Sequence, residues 1–131
     1  MGAESEELVA KSLRPLAAQG WTVRHSISWP GRGDIDHLVD VPDSVRFVIA
    51  TKTARYQAHH VRRAQAAAHH LARYGRPCVP VICLARRHSI WWADTGVEVV
   101  SADLIAARLA QLATTSPCSR RLAARPPTGL P

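Results

Sequence analysis

The chain has 131 residues and a formal net charge of +7, with 47% hydrophobic and 21% charged residues, which suits one folded domain rather than two. No apolar run approaches the roughly 20 residues of a membrane span, and the acidic start does not resemble a secretory or transit peptide. The three cysteines lack C-x-x-C spacing, which argues against a disulfide framework or a zinc ribbon. We therefore expect a cytoplasmic protein that does not bind membranes.

Apolar periodicity and turn residues predict alternating helices and strands. In chain order, the predicted elements are a helix over 4–19, a strand over 21–27, strands over 34–41 and 45–51, a helix over 58–74, a strand over 78–85, short strands over 89–93 and 97–100, and a helix over 102–113. Ser101 is the expected N-cap of the last helix. From Thr114 onward, the Pro, Ser and Arg content predicts a disordered tail.

This order of elements predicts an α/β domain over residues 1–113, in which helices flank a mixed β-sheet with an αβββαβ core. Residues 114–131 would lie outside that domain. The sequence contains no internal repeat.

The charges are distributed unevenly. Residues 1–43 hold seven acidic and four basic side chains, a net charge of −3, whereas residues 44–93 hold nine Lys or Arg and no carboxylate. A basic zone beside an acidic one suits a protein that attracts phosphates to a metal held by carboxylates, although a solvated basic face has the same composition. Four arginines in or beside the second long helix are expected to contact nucleic acid: Arg55, Arg62, Arg63 and Arg73.

The second and third predicted strands are expected to form an antiparallel hairpin around a three-residue turn. In that register Asp36 lies opposite position 50, and Asp34 lies opposite Lys52. Side chains two positions apart on a strand share a face of the sheet, so Asp36, Ala50 and Lys52 are expected to cluster. A register error of one residue would separate them.

A cluster of this kind suits the hydrolysis of phosphodiesters. A hard cation can polarise the phosphate and lower the pKa of the attacking water, and Mg²⁺ binds through one or two carboxylates plus phosphate and water oxygens. A neighbouring Lys can orient the nucleophile and stabilise the charge that develops on the phosphate. Asp36 and Lys52 are present for these roles, but position 50 contributes only the methyl group of Ala50.

Three segments and one residue of the chain match, in the same order, the motifs of one known family: Gly2-Ala3-Glu4-Ser5-Glu6, Gly33-Asp34-Ile35-Asp36-His37, Val48-Ile49-Ala50-Thr51-Lys52 and Gln65. On these motifs the chain resembles the NERD (nuclease-related domain) family of the PD-(D/E)xK, restriction-endonuclease-like superfamily. The Ile-Asp-His element followed by x-Thr-Lys is fairly specific as a pair. The family pattern has Asp or Glu at position 50 and often Gly at position 5.

The resemblance implies a restriction-endonuclease-like fold and a DNA endonuclease or nickase that depends on Mg²⁺ or Mn²⁺. Glu6 and Asp36 would be acidic site residues, Lys52 the catalytic lysine and Gln65 a supporting polar residue. The metal would be held by Asp36, by the acid that the family has where Ala50 stands, and by the backbone carbonyl of Thr51. Because cutting both strands often needs two sites, a homodimer is one option.

Helical periodicity adds weight to Glu6 and Gln65 without deciding their roles. Glu6 lies at the end of the apolar stripe of the first helix, and Gln65 lies on an otherwise apolar stripe with Val61 and Ala68. Polar groups on inward faces need partners. Both residues also have structural interpretations: Glu6 as an acid that the helix dipole favours in the first turn, and Gln65 as a side chain that forms a hydrogen bond to a strand end.

Other polar residues near the hairpin have structural interpretations too. Asp34 is expected to form an ion pair with Lys52 rather than to bind a metal. His37 should point away from Asp36, as a core or interface histidine with its hydrogen bonds satisfied. The histidine pairs at 59–60 and 69–70 lack the spacing of a transition-metal site and are expected to be solvated or to face phosphates.

Ala50 is open to two interpretations. In one, a deliberate change from Asp or Glu has removed activity, since the residues around position 50 match the family. In the other, the chain is a natural pseudo-nuclease retained as a nucleic-acid binding module. In both cases we expect the chain as written to be inactive or strongly impaired. An interaction domain without affinity for nucleic acid is a third hypothesis.

Overall fold

A computed structural model describes residues 2–72 and 75–114 of the chain. Its elements are α1 (Gly2–Ala18), β1 (Thr22–Trp29), β2 (Gly33–Asp40), β3 (Arg46–Lys52), α2 (Ala58–Ala72), β4 (Cys78–Leu84), β5 (Trp91–Asp94), β6 (Val97–Ser101) and α3 (Ala102–Ala113). Every predicted element is present, with boundaries that agree within two residues. Arg73 and the predicted tail beyond Thr114 lie outside the described residues.

The six strands form one mixed sheet in the order β1-β2-β3-β4-β6-β5. The first three strands are antiparallel neighbours, β3 and β6 both run parallel to β4, and β5 is antiparallel to β6. The three helices flank this sheet. The fold is therefore α/β with a mixed sheet, as predicted and as in restriction-endonuclease-like proteins.

Alternation along β3 divides the core into two layers, because successive strand residues face opposite sides of the sheet. Phe47 and Ile49 pack in one cluster with residues of α1 and α3. Val48 and Ala50 belong to clusters formed with α2. Position 50 therefore faces α2.

Each helix turns one apolar stripe toward the rest of the fold. The buried apolar residues of the helices are Val9, Leu13 and Leu16 in α1, Val61, Ala64, Ala67 and Ala68 in α2, and Ala102, Ile105 and Leu109 in α3. Within the described ranges, no helix combines the length and the apolar character that crossing a membrane requires. Ser101 is the N-cap residue of α3, as predicted, but its hydroxyl does not cap the helix and binds the backbone of Ile90 instead.

The hairpin of β2 and β3 has the predicted register, with His37 opposite Ile49 and Asp40 opposite Arg46. At its far end, Arg46 binds the Asp40 carboxylate through both Nε and Nη2, and Arg24 on β1 binds the same carboxylate at 3.1 Å. Burial opposes ionisation of Asp40, but these arginines and Arg76 hold the pKa of its carboxyl below the ordinary value.

This cluster predicts a stability that depends on pH. A lowered folded-state pKa contributes stability above the unfolded value of about 3.9, and that contribution is lost as pH falls through the folded value. Asp40→Asn should therefore lower the free energy of unfolding at pH 7 by about 1–3 kcal/mol, the range for hydrogen bonds to charged groups. The difference should shrink below pH of about 4 in urea unfolding curves. Asp43→Asn, at an exposed turn position, is the matched control and should change little.

Candidate functional site

Asp36 lies where β2 and β3 separate, just beyond the paired residues His37 and Ile49. The Asp36 carboxylate accepts a hydrogen bond from the backbone N–H of Thr51 at 2.8 Å. This side chain therefore joins the two strands at the point where their ladder ends.

A cleft of about 230 Å³ opens between this end of the hairpin and α2. Its polar side chains come from both sides: Asp34, Asp36 and Lys52 from the strands, and His60 and Arg63 from the helix. The rest of the lining is largely apolar and includes Ile35, Val48, Ala64 and Ala67. Carboxylates and cations thus share one recess above an apolar base, which is an arrangement suited to a small polar group such as a phosphate.

Ala50 lines this cleft together with the two polar residues with which it was predicted to cluster. It is partly buried and packs against the apolar cluster that includes Val61 and Ala64. The Asp36 and Lys52 side chains line the same cleft. The predicted juxtaposition is therefore present, with a methyl group where the family pattern has a carboxylate.

The carboxylates near the cleft are electrostatically coupled. Burial raises the pKa of Asp36, against the opposing effects of the Thr51 N–H, Lys52 and Arg63. Burial, Asp36 and Asp34 raise the pKa of Glu6, and Lys52 opposes this shift. The structure thus brings Glu6, from α1, within electrostatic range of the acids and the lysine at the end of the hairpin.

Ser5 explains how Glu6 is held there. Ser5 is 2% exposed, and its hydroxyl forms a 3.0 Å hydrogen bond with the hydroxyl of Thr53, directly after β3. This bond fixes the first turn of α1 beside the end of β3. In the sequence, Ser5 differs only as a departure from the family pattern, because no local motif links it to Thr53, which is 48 positions away.

The donor atoms present do not complete a metal site. Within residues 2–72 and 75–114, no group of three or more His, Cys, Asp or Glu side chains is arranged to hold a metal ion. Mg²⁺ requires oxygen ligands in near-octahedral geometry. One Asp36 oxygen already accepts the Thr51 N–H, and Ala50 has no oxygen in its side chain. The residues as written therefore do not fit the metal that the family resemblance implies.

His37 is the satisfied core histidine that the strand pattern predicts. It is 1% exposed, its Nε2 lies 3.0 Å from the Thr51 hydroxyl, and its Nδ1 lies 2.8 Å from His25 Nδ1. Burial and the neighbouring His25 lower the pKa of His37 to about 4. A neutral His37 therefore supports Thr51 from the side of the sheet opposite the cleft.

Asp34 lines the cleft together with Lys52, but the ion pair predicted between them is absent from the described part of the chain. The reason is that β2 and β3 are no longer paired at this point, so Asp34 remains exposed opposite Ser28 of β1. The prediction of this ion pair was wrong, and the charge of Asp34 instead contributes to raising the pKa of Asp36 and of Glu6.

Gln65 lies beside the cleft rather than in it. Its amide Nε2 donates a hydrogen bond to the backbone carbonyl of Thr95, in the turn between β5 and β6, at 2.6 Å. This contact matches the structural interpretation of Gln65, a hydrogen bond to backbone at a strand end. Its supporting role in catalysis stays a prediction.

The four arginines predicted to contact nucleic acid occupy different positions. Arg63 lines the cleft. Arg62 is exposed on α2 without lining the cleft, and Arg55 is exposed in the loop between β3 and α2. Arg73 lies outside the described residues. Phosphate contact stays a prediction for all four, and among the three that the structure describes, Arg63 lines the cleft together with Asp36.

Two further cleft residues, Trp29 and His60, were not predicted to belong to the site. The predicted strand ended at residue 27, before Trp29, and His60 was grouped with solvated or phosphate-facing histidines. Burial, Lys52 and His59 lower the pKa of His60. Both residues reach the cleft through long-range packing of the β1–β2 turn and α2, for which a local sequence pattern carries no signal.

Comparison with known proteins gives one match. The family model described as "Nuclease-related domain" matches residues 1–85, which include α1 through β4 and every residue that lines the cleft. No curated protein and no solved structure matches the chain at a significant level.

Proposed function

Because the chain belongs to the nuclease-related domain family, we propose that it is a metal-dependent phosphodiester hydrolase domain whose site lacks one carboxylate. The observation that carries the proposal is the cleft shared by Asp36, Ala50 and Lys52, in which Asp36 binds the backbone of Thr51. With Ala at position 50, the chain as written would be inactive or strongly impaired.

The roles follow from the positions of the side chains. The Lys52 ammonium would orient the attacking water and stabilise negative charge on the phosphate. Arg63 and His60 would hold the phosphate from the α2 side of the cleft. Binding of Mg²⁺ or Mn²⁺ would require a carboxylate at position 50 beside Asp36, with Glu6 in support.

The substrate class that we propose is nucleic acid, and DNA in particular. The block of residues 44–93 has no carboxylate and nine Lys or Arg side chains, which suits a polyanionic substrate. A DNA endonuclease or nickase acting in the cytoplasm would be consistent with this composition. Two copies of the chain would be needed if each site cuts one strand.

The second candidate function is a pseudo-nuclease that binds nucleic acid without cutting it. The observation in its favour is that Ala50 packs against the Val61 and Ala64 cluster while Lys52 and Arg63 still line the cleft. Such a protein would keep the cations that bind phosphate and dispense with the metal. Its affinity would depend on salt and would be insensitive to EDTA.

A cleavage assay separates the two functions. The unmodified chain and Ala50→Asp would each be incubated with plasmid, linear duplex, single-stranded DNA and RNA, in the presence of Mg²⁺, Mn²⁺ or EDTA. We expect Ala50→Asp to cleave, the unmodified chain not to cleave, and EDTA to abolish the cleavage. Salt-sensitive binding by both proteins without cleavage by either would favour the pseudo-nuclease.

A further inference from the structure

Two cations are held against a nearly buried indole beside the candidate site. Trp29, at the end of β1, is 8% exposed. The guanidinium carbon of Arg32 lies 5.5 Å from the centre of the Trp29 ring, and that of Arg63 lies 5.4 Å from it. The His70 ring stacks on the same indole at 5.6 Å. Contacts of this kind fix the direction of a guanidinium while leaving its N–H groups available.

Arg63 also ties the β1–β2 turn to α2. Its Nη2 donates a hydrogen bond to the backbone carbonyl of Arg32. Gly33 makes room for this contact, because a Cβ there would lie 3.3 Å from Arg63 Nη2, and its φ of +90° also favours glycine. The turn and the helix are therefore joined through Arg63, which keeps four of its five N–H donors for other partners.

A second cleft adjoins the first at Trp29. It has a volume of about 450 Å³ and is lined by Trp29, Pro30, Arg32, Ala66, His69 and His70. The two clefts share Trp29, and residues of α2 line both, so we group them under one name, the α2 groove. Its carboxylates, Asp34 and Asp36, lie in the first cleft, whereas the second has none in its lining.

From this arrangement we infer that a single strand of nucleic acid reaches the candidate site along the α2 groove, with Arg63 and Arg32 contacting successive phosphates. The inference rests on the proposed function, because it assumes a nucleic-acid substrate. A helix and a tight turn bound the groove, and the contact of Arg63 with Arg32 joins them. Besides these cations, the lining includes the exposed ring of His69. Cationic grooves with rings on which bases can stack are typical of single-strand binding.

The test is fluorescence anisotropy with a labelled single-stranded DNA oligonucleotide of about 12 nucleotides and with a duplex of the same length. The unmodified chain would be compared with Arg32→Ala, with Arg63→Ala and with Arg14→Ala. Arg14 is exposed on α1, which packs on the opposite face of the sheet. Its replacement therefore also removes one positive charge, but at a position outside the groove.

We expect Arg32→Ala and Arg63→Ala each to weaken binding of the single strand several-fold and to reduce the salt slope by about 0.7 for each lost phosphate contact. Arg14→Ala should stay within about twofold of the unmodified chain. If Arg63→Ala unfolds the domain, Arg32→Ala still provides the test, since the backbone of Arg32, and not its side chain, accepts the bond from Arg63.

Three results would overturn the inference: equal effects of Arg32→Ala and Arg14→Ala, tighter binding of the duplex than of the single strand, or no binding of either oligonucleotide. The first two leave the proposed function intact, because cleavage by Ala50→Asp is measured separately. Conversely, a groove-dependent affinity without any cleavage by Ala50→Asp would support the inference and refute the hydrolase.

Discussion

Replacing Ala50 with Asp is expected to convert the chain into a metal-dependent nuclease that cleaves plasmid DNA at least about 10²-fold faster than the unmodified chain. Pairing of β2 and β3 ends at His37 and Ile49, and Asp36 and position 50 follow directly and line one cleft. Two carboxylates in one cleft can share one hard cation. The new acid would also lie beside Lys52, within the same cleft.

The controls for this experiment separate charge from shape. Ala50→Asn introduces nearly the same volume without a full charge and should remain inactive. Lys52→Ala in the Ala50→Asp background should reduce cleavage by about 10²–10³-fold, as expected when one charge-stabilising group is lost. An Ala50→Asp variant that folds and binds DNA but does not cleave it in Mg²⁺ or Mn²⁺ would contradict the hydrolase proposal.

The same substitution has a readout that does not depend on activity. An added carboxylate in a partly buried position raises the electrostatic repulsion with Asp36 and Glu6, so Ala50→Asp should melt at a lower temperature in EDTA. Metal binding should then restore stability, by about 2.7 kcal/mol at a metal concentration of 100 times the Kd. The unmodified chain, with its incomplete donor set, should show no comparable shift of the melting temperature.

Loss of the His37 side chain should be among the most destabilising changes near the site. His37→Ala leaves a cavity at a position that is 1% exposed and removes the partner of the Thr51 hydroxyl. Burial of a large side chain and an unsatisfied hydroxyl each carry costs in the range of 1–3 kcal/mol or more. We expect the free energy of unfolding, measured in urea by tryptophan fluorescence, to fall by about 3 kcal/mol.

His25→Ala is the matched control for this prediction. It removes the other member of the histidine pair, but His25 is exposed, so the cost should stay below about 1 kcal/mol. Equal losses from the two variants would show that the pair contact, and not the buried bond to Thr51, supports the strand. His37→Gln, which can still reach a hydroxyl, should recover part of the lost stability.

Local sequence predicted the hairpin that carries the site but not the contacts that complete it. The three-residue turn between the strands was sufficient to predict the register at His37 and Ile49, and the two-residue period of strands predicted the faces of Asp36 and His37. On α2, alanines flank Gln65 on several faces of the helix. The sequence therefore could not decide which of these neighbouring faces is the buried one. It includes Ala64 and Ala67, and Gln65 lies at its edge.

Long-range contacts explain the remaining differences. Ser5 meets Thr53 across 48 positions, and Arg63 meets Arg32 across 31. Each contact depends on how a helix docks against a sheet, and the sequence near either partner carries no periodic signal for it. The absent ion pair between Asp34 and Lys52 has another cause, because the pairing of β2 and β3 ends at His37 and Ile49, three residue pairs before these two side chains.

The place of β4 in the sheet bears on where this domain can be cut. The family match ends at residue 85, directly after β4, but β4 pairs with β6 along its other edge. The α1 stripe at Leu13 packs in one cluster with Ile105 and Leu109 of α3. A fragment truncated at residue 85 would expose an unpaired parallel edge and an apolar helix face, both of which favour aggregation. We therefore expect the smallest unit that folds on its own to extend through α3, beyond the residues that the family model matches.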